Sequence, residues 1–212
     1  GQLLAFMSTT LVSGLSVGAN VLIAQLSGAR RTKDVGEAAT HLLGLAAIVS
    51  CALVILGLSL NRLTMELLGA EHQVIALALP YSNLIFLVIP CTIFLQVLSS
   101  IMQGTGNTKT PMYALISVNL LYLTIAYPLI YGHWGLPAWG LTGAAVATGI
   151  AEGMGVAYLL WANRTLFRKS LKPRYDLMRS TWQIGAPVSG ERMFQQAGII
   201  LYTKIVLLYG TV

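Results

Sequence analysis

Residues 139–162 read WGLTGAAVATGIAEGMGVAYLLWA, a run of 24 positions whose one charged side chain is Glu152. At about 1.5 Å per residue, a helix of that length reaches about 36 Å, enough to cross a hydrocarbon core of about 30 Å. The run is apolar on nearly every face, so it reads as a helix buried in a bundle or in lipid, not as an amphipathic surface helix. Transmembrane β-strands would be half as long and would alternate. This one stretch therefore sets both the secondary structure and the solvent.

Breakers and charges frame the run. Gly132 to Pro137 precede it, and a basic stretch from Arg164 to Arg179 follows. The same pattern recurs along the chain, giving six spans near 3–26, 40–60, 74–101, 111–131, 139–162 and 181–209. Composition agrees: 56% of the 212 residues are hydrophobic and 9% charged, and mean hydropathy is +0.73. A soluble domain carries roughly a quarter charged residues, so too little polarity remains for a soluble shell. The expected fold is all-α, a polytopic transmembrane bundle of six spans.

The net charge of +6 would suit nucleic acid if it were gathered on one surface. Its placement argues against that partner. Arg30, Arg31 and Lys33, then Lys109, then Arg164, Arg168, Lys169, Lys172, Arg174 and Arg179 lie in the first, third and fifth connections, against Arg62 alone in the other two. Positive residues stay cytoplasmic. Loops 27–39, 102–110 and 163–180 are accordingly expected inside, with Gly1 on the outer side of a plasma (inner) membrane. Three regions follow: a five-span bundle at 1–162, a basic linker at 163–180 lying against anionic headgroups, and a further helix within 181–212. The chain begins with Gly1, without a basic n-region or cleavage site, and reads as truncated there rather than as a signal peptide. An Asn163-Arg164-Thr165 sequon on the cytoplasmic side would stay unmodified.

Ionisable groups inside lipid-length helices cost roughly 2.5–3.5 kcal/mol each on insertion scales, so they carry a function or a partner. Glu152 lies ten residues before the end of its span and Glu191 ten residues after the start of the next (162 − 152; 191 − 181). Both are therefore about 15 Å deep. Two carboxylates at matching depth can exchange protons or hold a cation. The competing reading is a Glu152–Arg192 ion pair that joins two helices. Glu191 and Gln195 share a helix face, whereas Glu191 and Arg192 do not. Lys204, near the outer end of the last span, can snorkel. Gln25, Asn83, Asn119, Gln195 and Gln196 are candidates to line a substrate cavity; most in-span amides serve interhelical contacts instead.

Gly14-x3-Gly18 and Gly149-x3-Gly153 read as small-residue packing faces. Gly14-Leu-Ser16-Val-Gly18 also spells a nucleophile elbow, but that motif requires a strand-to-helix turn and acid and His partners. Cys51 and Cys91 read as buried, inert thiols. His41, His72 and His133 are scattered, no metal-ligand spacing occurs, and no phosphate loop appears. No cofactor is expected, and no catalytic dyad for an intramembrane enzyme can be assembled. A purely structural membrane subunit would tolerate the loss of both carboxylates.

Several segments in order resemble the multidrug and toxin extrusion (MATE) family. They are Gly14-Leu-Ser-Val-Gly-Ala-Asn20 with Ala24-Gln25 and Gly28-Ala29; Leu67-Leu-Gly-Ala70 with Ala78 and Tyr81; Gln103-Gly-Thr-Gly-Asn-Thr-Lys-Thr-Pro-Met112; Pro128-Leu-Ile-Tyr-Gly132; Gly140-Leu-Thr-Gly-Ala-Ala-Val-Ala-Thr148; and Gly185-Ala-Pro187. The resemblance implies helices two to seven of twelve: most of the first lobe of a two-lobe transporter and the opening helix of the second. It further implies alternating access and export of amphipathic or cationic organic compounds in exchange for H+ or Na+. The lipid bilayer, a small organic substrate and the remaining helices are then the partners. A lipid or polysaccharide-precursor flippase of the same superfamily is the alternative. Glu191 resembles an acidic residue that many members carry after the helix-seven proline. Tyr122 and Ala126 stand where many members have Asn and Asp or Asn, and Gln195 stands where some carry an acid. Glu152, which the pattern does not require, is the expected substitute.

Overall fold

The computed structural model describes residues 2–67, 72–132, 137–164 and 166, with single positions at 187, 190, 191, 194, 195 and 198. Five helices follow one another: α1 (Gln2–Gly28), α2 (Thr32–Leu67), α3 (His72–Gly104), α4 (Lys109–Tyr131) and α5 (Leu141–Ala162), with no strand among the described residues. They coincide with the first five expected spans. The helices α2 to α5 each contain a segment long and apolar enough to cross a membrane, as befits a multi-pass membrane protein. In lipid every backbone N–H and C=O must find a partner inside its own segment, which a helix provides. The sixth span, 181–209, lies outside the described residues apart from those single positions.

The helices stop where the chain can turn. Arg30 after α1 takes φ 57°, and Gly106 after α3 takes φ 87°. Gly132, at φ 74°, closes α4 by donating its N–H to the Pro128 carbonyl at 2.9 Å. At the start of α4 the Asn107 side chain accepts the Thr110 N–H at 3.2 Å. Pro111, in the first turn, has no N–H to leave unpaired.

Two connections are shorter than expected. α2 begins at Thr32, so most of the 27–39 loop is helix. The polar start of α2 still carries an apolar stripe: Val35, Ala38, Ala39, Leu42 and Ala46 are all buried at helical spacing. Arg30, Arg31 and Lys33 mark a connection by charge, and that stripe carries the helix back into it. Between α3 and α4 only residues 105–108 are non-helical.

α3 organises the bundle, packing on α1, α2 and α5, while α4 packs mainly on α5. One face of α3 (Phe86, Ile89, Ile93, Val97, Ile101) joins the α1–α2 core, and the other (Leu95, Leu98, Met102) joins α4 and α5. The close contacts give each pair a direction. A Cβ on Gly149 would lie 2.9 Å from Val88, and one on Gly155 would lie 3.0 Å from Leu95. Asn163 reaches Met102. Rising numbers on α5 thus meet rising numbers on α3, so the two run parallel. On α4 the order reverses, Gly143 against Leu129 and Gly155 against Val118, so α4 and α5 are antiparallel. α2 is likewise antiparallel to α3, through Gly57–Phe86 and Asn61–Asn83. This is the alternation that successive membrane crossings require.

Small residues carry these contacts, though not all those expected. Gly149 packs against α3, but a Cβ on Gly153 would meet nothing within 4 Å. The working glycines of α5 are Gly143, Gly149 and Gly155, because the helix is gripped on two sides. Cys51 is exposed on α2, not buried, and Cys91 is half-buried on α3. Ser16 lies within the α1 helix and is buried, which is not the strand-to-helix turn of a nucleophile elbow.

Candidate functional site

Along the α4–α5 pair lies a cavity of about 200 Å³. Val118, Asn119 and Tyr122 line it from α4, and Thr148, Ala151 and Glu152 from α5. Glu152 is half-buried. One of its oxygens, Oε2, accepts the Thr92 hydroxyl at 2.6 Å. Glu152 lies ten residues from the C-terminal end of α5, and Thr92 twelve residues from the same end of the parallel α3 (162 − 152; 104 − 92). The two therefore meet at similar depth.

The polar lining differs in its commitments. Thr148 donates its hydroxyl to the Ala144 carbonyl, and Asn119 donates its amide N–H to the Leu115 carbonyl, each one turn back on its own helix. Glu152 is the lining carboxylate, and apolar Val118 and Ala151 flank it. Such a cavity can exchange a proton at the carboxylate or hold a small cation against it. Among the described residues no group of three His, Cys, Asp or Glu gathers at metal-binding distance.

The other expected positions lie elsewhere. Asn83 accepts the Asn61 amide at 2.8 Å, an interhelical contact between α3 and α2 on the far side of α3 from the cavity. Gln25 is exposed near the end of α1. Glu191 is exposed, and its Oε1 accepts the Gln195 amide at 3.3 Å, one helical turn on. Arg192 and Gln196 lie outside the described residues, and with them the Glu152–Arg192 pair; so does most of the 163–180 linker. Tyr122 lines the cavity, whereas Ala126 is buried between α4 and α5. Sequence reading missed Thr92. A threonine in an apolar span normally satisfies its own helix, and only its depth, equal to that of Glu152, could have singled it out.

Comparison with known proteins gives the lineage. The family model MatE matches residues 1–128. The chain is 28% identical over 200 residues to a probable multidrug resistance protein NorM of Thermotoga maritima, covering 92% of this chain and 43% of that one. It is 25% identical over 203 residues to the multidrug resistance protein MdtK of Yersinia enterocolitica, covering 92% and 44%. It thus spans less than half the length of these relatives. An inward-facing multidrug resistance MATE family transporter of the MOP superfamily matches at TM-score 0.77 and 25% identity, over 88% of this chain and 43% of the other. A crystal structure of MATE in the bent conformation shares the fold at TM-score 0.85 and 23% identity, over 96% and 46%. The helical architecture fits the MatE match, which covers more than half of the sequence, and the chain belongs to the MatE family of membrane transporters.

Proposed function

We propose that the chain forms most of the first lobe, and the start of the second, of a secondary antiporter. The full protein exports amphipathic or cationic organic compounds in exchange for protons or sodium, and Glu152 takes the coupling cation in this lobe. The observation that carries the reading is the Glu152 carboxylate at mid-helix depth in a cavity lined by Asn119 and Tyr122. A charge kept at that depth is costly unless used or paired. Its described hydrogen-bond partner is a neutral hydroxyl, which orients a carboxylate without cancelling its charge. The names of the relatives, multidrug resistance proteins, support the substrate class. Alternating access requires a second lobe moving against this one, and Glu191 is assigned to the second lobe's share of coupling. The basic connections are assigned to the cytoplasmic side of the plasma membrane.

The test is dye efflux by the full-length gene product in vesicles, with proton and sodium gradients imposed separately. One gradient drives efflux by the unaltered protein. Glu152→Gln and Glu191→Gln each lower gradient-driven efflux at least about tenfold while membrane expression holds. Efflux by Glu152→Gln at the unaltered rate removes that residue from the mechanism.

A further inference from the structure

The seam between α3 and α5 is apolar above and below a polar rung. Val88 lies against Gly149 and Leu95 against Gly155; between them Thr92 meets Glu152. Elsewhere in the bundle threonines keep to their own helix: Thr40, Thr124 and Thr148 each donate to the carbonyl four residues back. That is the ordinary way to satisfy a hydroxyl in a dry helix. Thr92 donates to a side chain on another helix instead. Pro90 stands two residues before it within α3, so the Phe86 carbonyl lacks its usual helical donor and α3 is locally less constrained there.

We propose that Thr92 is the positioning residue of the coupling site, on the reading above that Glu152 takes the cation. Its hydroxyl holds Oε2 and leaves Oε1 for the arriving proton or sodium ion. The same hydrogen bond takes up part of the carboxylate's charge, so the cation binds less tightly and leaves again when the lobe turns. Proton balance is simple: the Thr92 hydrogen stays on its own oxygen, and a coupling proton resides on Oε1 between loading and release. Because Thr92 belongs to α3 and Glu152 to α5, loading the site also changes the polar tie between those helices.

The experiment compares Thr92→Val, which keeps the shape and removes the hydroxyl, with Thr92→Ser, which keeps the hydroxyl, in the full-length protein in proteoliposomes. Efflux rate is measured against the concentration of the driving ion, and substrate binding to the purified protein is measured in parallel. Thr92→Val is expected to half-saturate at about tenfold lower ion concentration, the lower end of what a hydrogen bond to a charged group supplies. Its maximal rate falls at least about threefold because release is slowed. Thr92→Ser stays within about twofold on both measures, and substrate affinity is unchanged in both variants. Should Thr92→Val fail to reach the membrane, Thr92→Ala against Thr92→Ser makes the same comparison. An unchanged ion dependence in Thr92→Val, with Glu152→Gln inactive, overturns the positioning role and leaves Glu152 in place. Equal losses in the Val and Ser variants, or a weakened substrate affinity, make Thr92 a packing residue and also overturn it. Normal efflux by Glu152→Gln overturns both readings together.

Discussion

A carboxylate halfway along an apolar helix persists only where something offsets the cost of leaving water. Glu152 has the Thr92 hydroxyl on one side and a cavity on the other. Asn61 shows the contrasting case. It is fully buried at the α2–α3 contact and bonds Asn83 at 2.8 Å, away from the α4–α5 cavity. Interhelical amide contacts of this kind contribute about 0.6 kcal/mol, at most about 1.7. Asn61→Ala is therefore expected to lower the thermal unfolding midpoint in detergent by a few degrees and to leave efflux within about twofold. A loss of efflux at intact stability would make Asn61 part of the transport path. Glu152 was legible in the sequence because one charge in 24 apolar positions is conspicuous. Its partner was not, because threonine is unremarkable in a span and nothing in a one-dimensional sequence says which helix its hydroxyl reaches.

At the scale of the elements, α5 is held by glycines that admit neighbours on two sides. A Cβ at Gly155 would fall 2.4 Å from Val118 and 3.0 Å from Leu95, whereas one at Gly153 meets nothing within 4 Å. Overpacking costs about 1–3 kcal/mol, sometimes more. Gly155→Leu should therefore destabilise the purified protein by at least about 2 kcal/mol and impair insertion, while Gly153→Leu is tolerated. Thermal unfolding of the pair checks this, and equal effects would mean that the seam is misplaced. Helix existence and approximate ends could be read from the apolar runs. The spacing Gly149-x3-Gly153 could not tell which glycine packs, because that depends on where α3 and α4 lie around α5. The early start of α2 was hidden for a related reason: the charges at Arg30, Arg31 and Lys33 mark a connection, while the buried stripe from Val35 to Ala46 becomes decisive only once α3 is in place.

At the scale of the molecule, parallel α3 and α5 with antiparallel α4 place the 105–108 turn and Asn163 on one side, and Gly132 and Gly140 on the other. Single cysteines at Asn107 and Arg164 are expected to react with an impermeant thiol reagent from the cytoplasmic side, and one at Trp139 from the outside, in a full-length protein freed of Cys51 and Cys91. Labelling of Asn107 and Trp139 from the same side would break the topology. The alternation of helix directions follows from the count of apolar runs, whereas the cytoplasmic side is assigned from lysine and arginine placement and is what the labelling tests. The cavity was not readable, because it depends on which side chains of α4 and α5 come together once the two helices pack. In the proposed function, substrate export is coupled to a cation released from Glu152. Its most direct test is displacement of the bound cation by substrate in purified full-length protein, followed as proton release in weak buffer with radioactive sodium release in parallel. Added substrate is expected to displace a proton or a sodium ion from the unaltered protein, and Glu152→Gln to lose this lobe's share of the signal. An undiminished release from Glu152→Gln would contradict it.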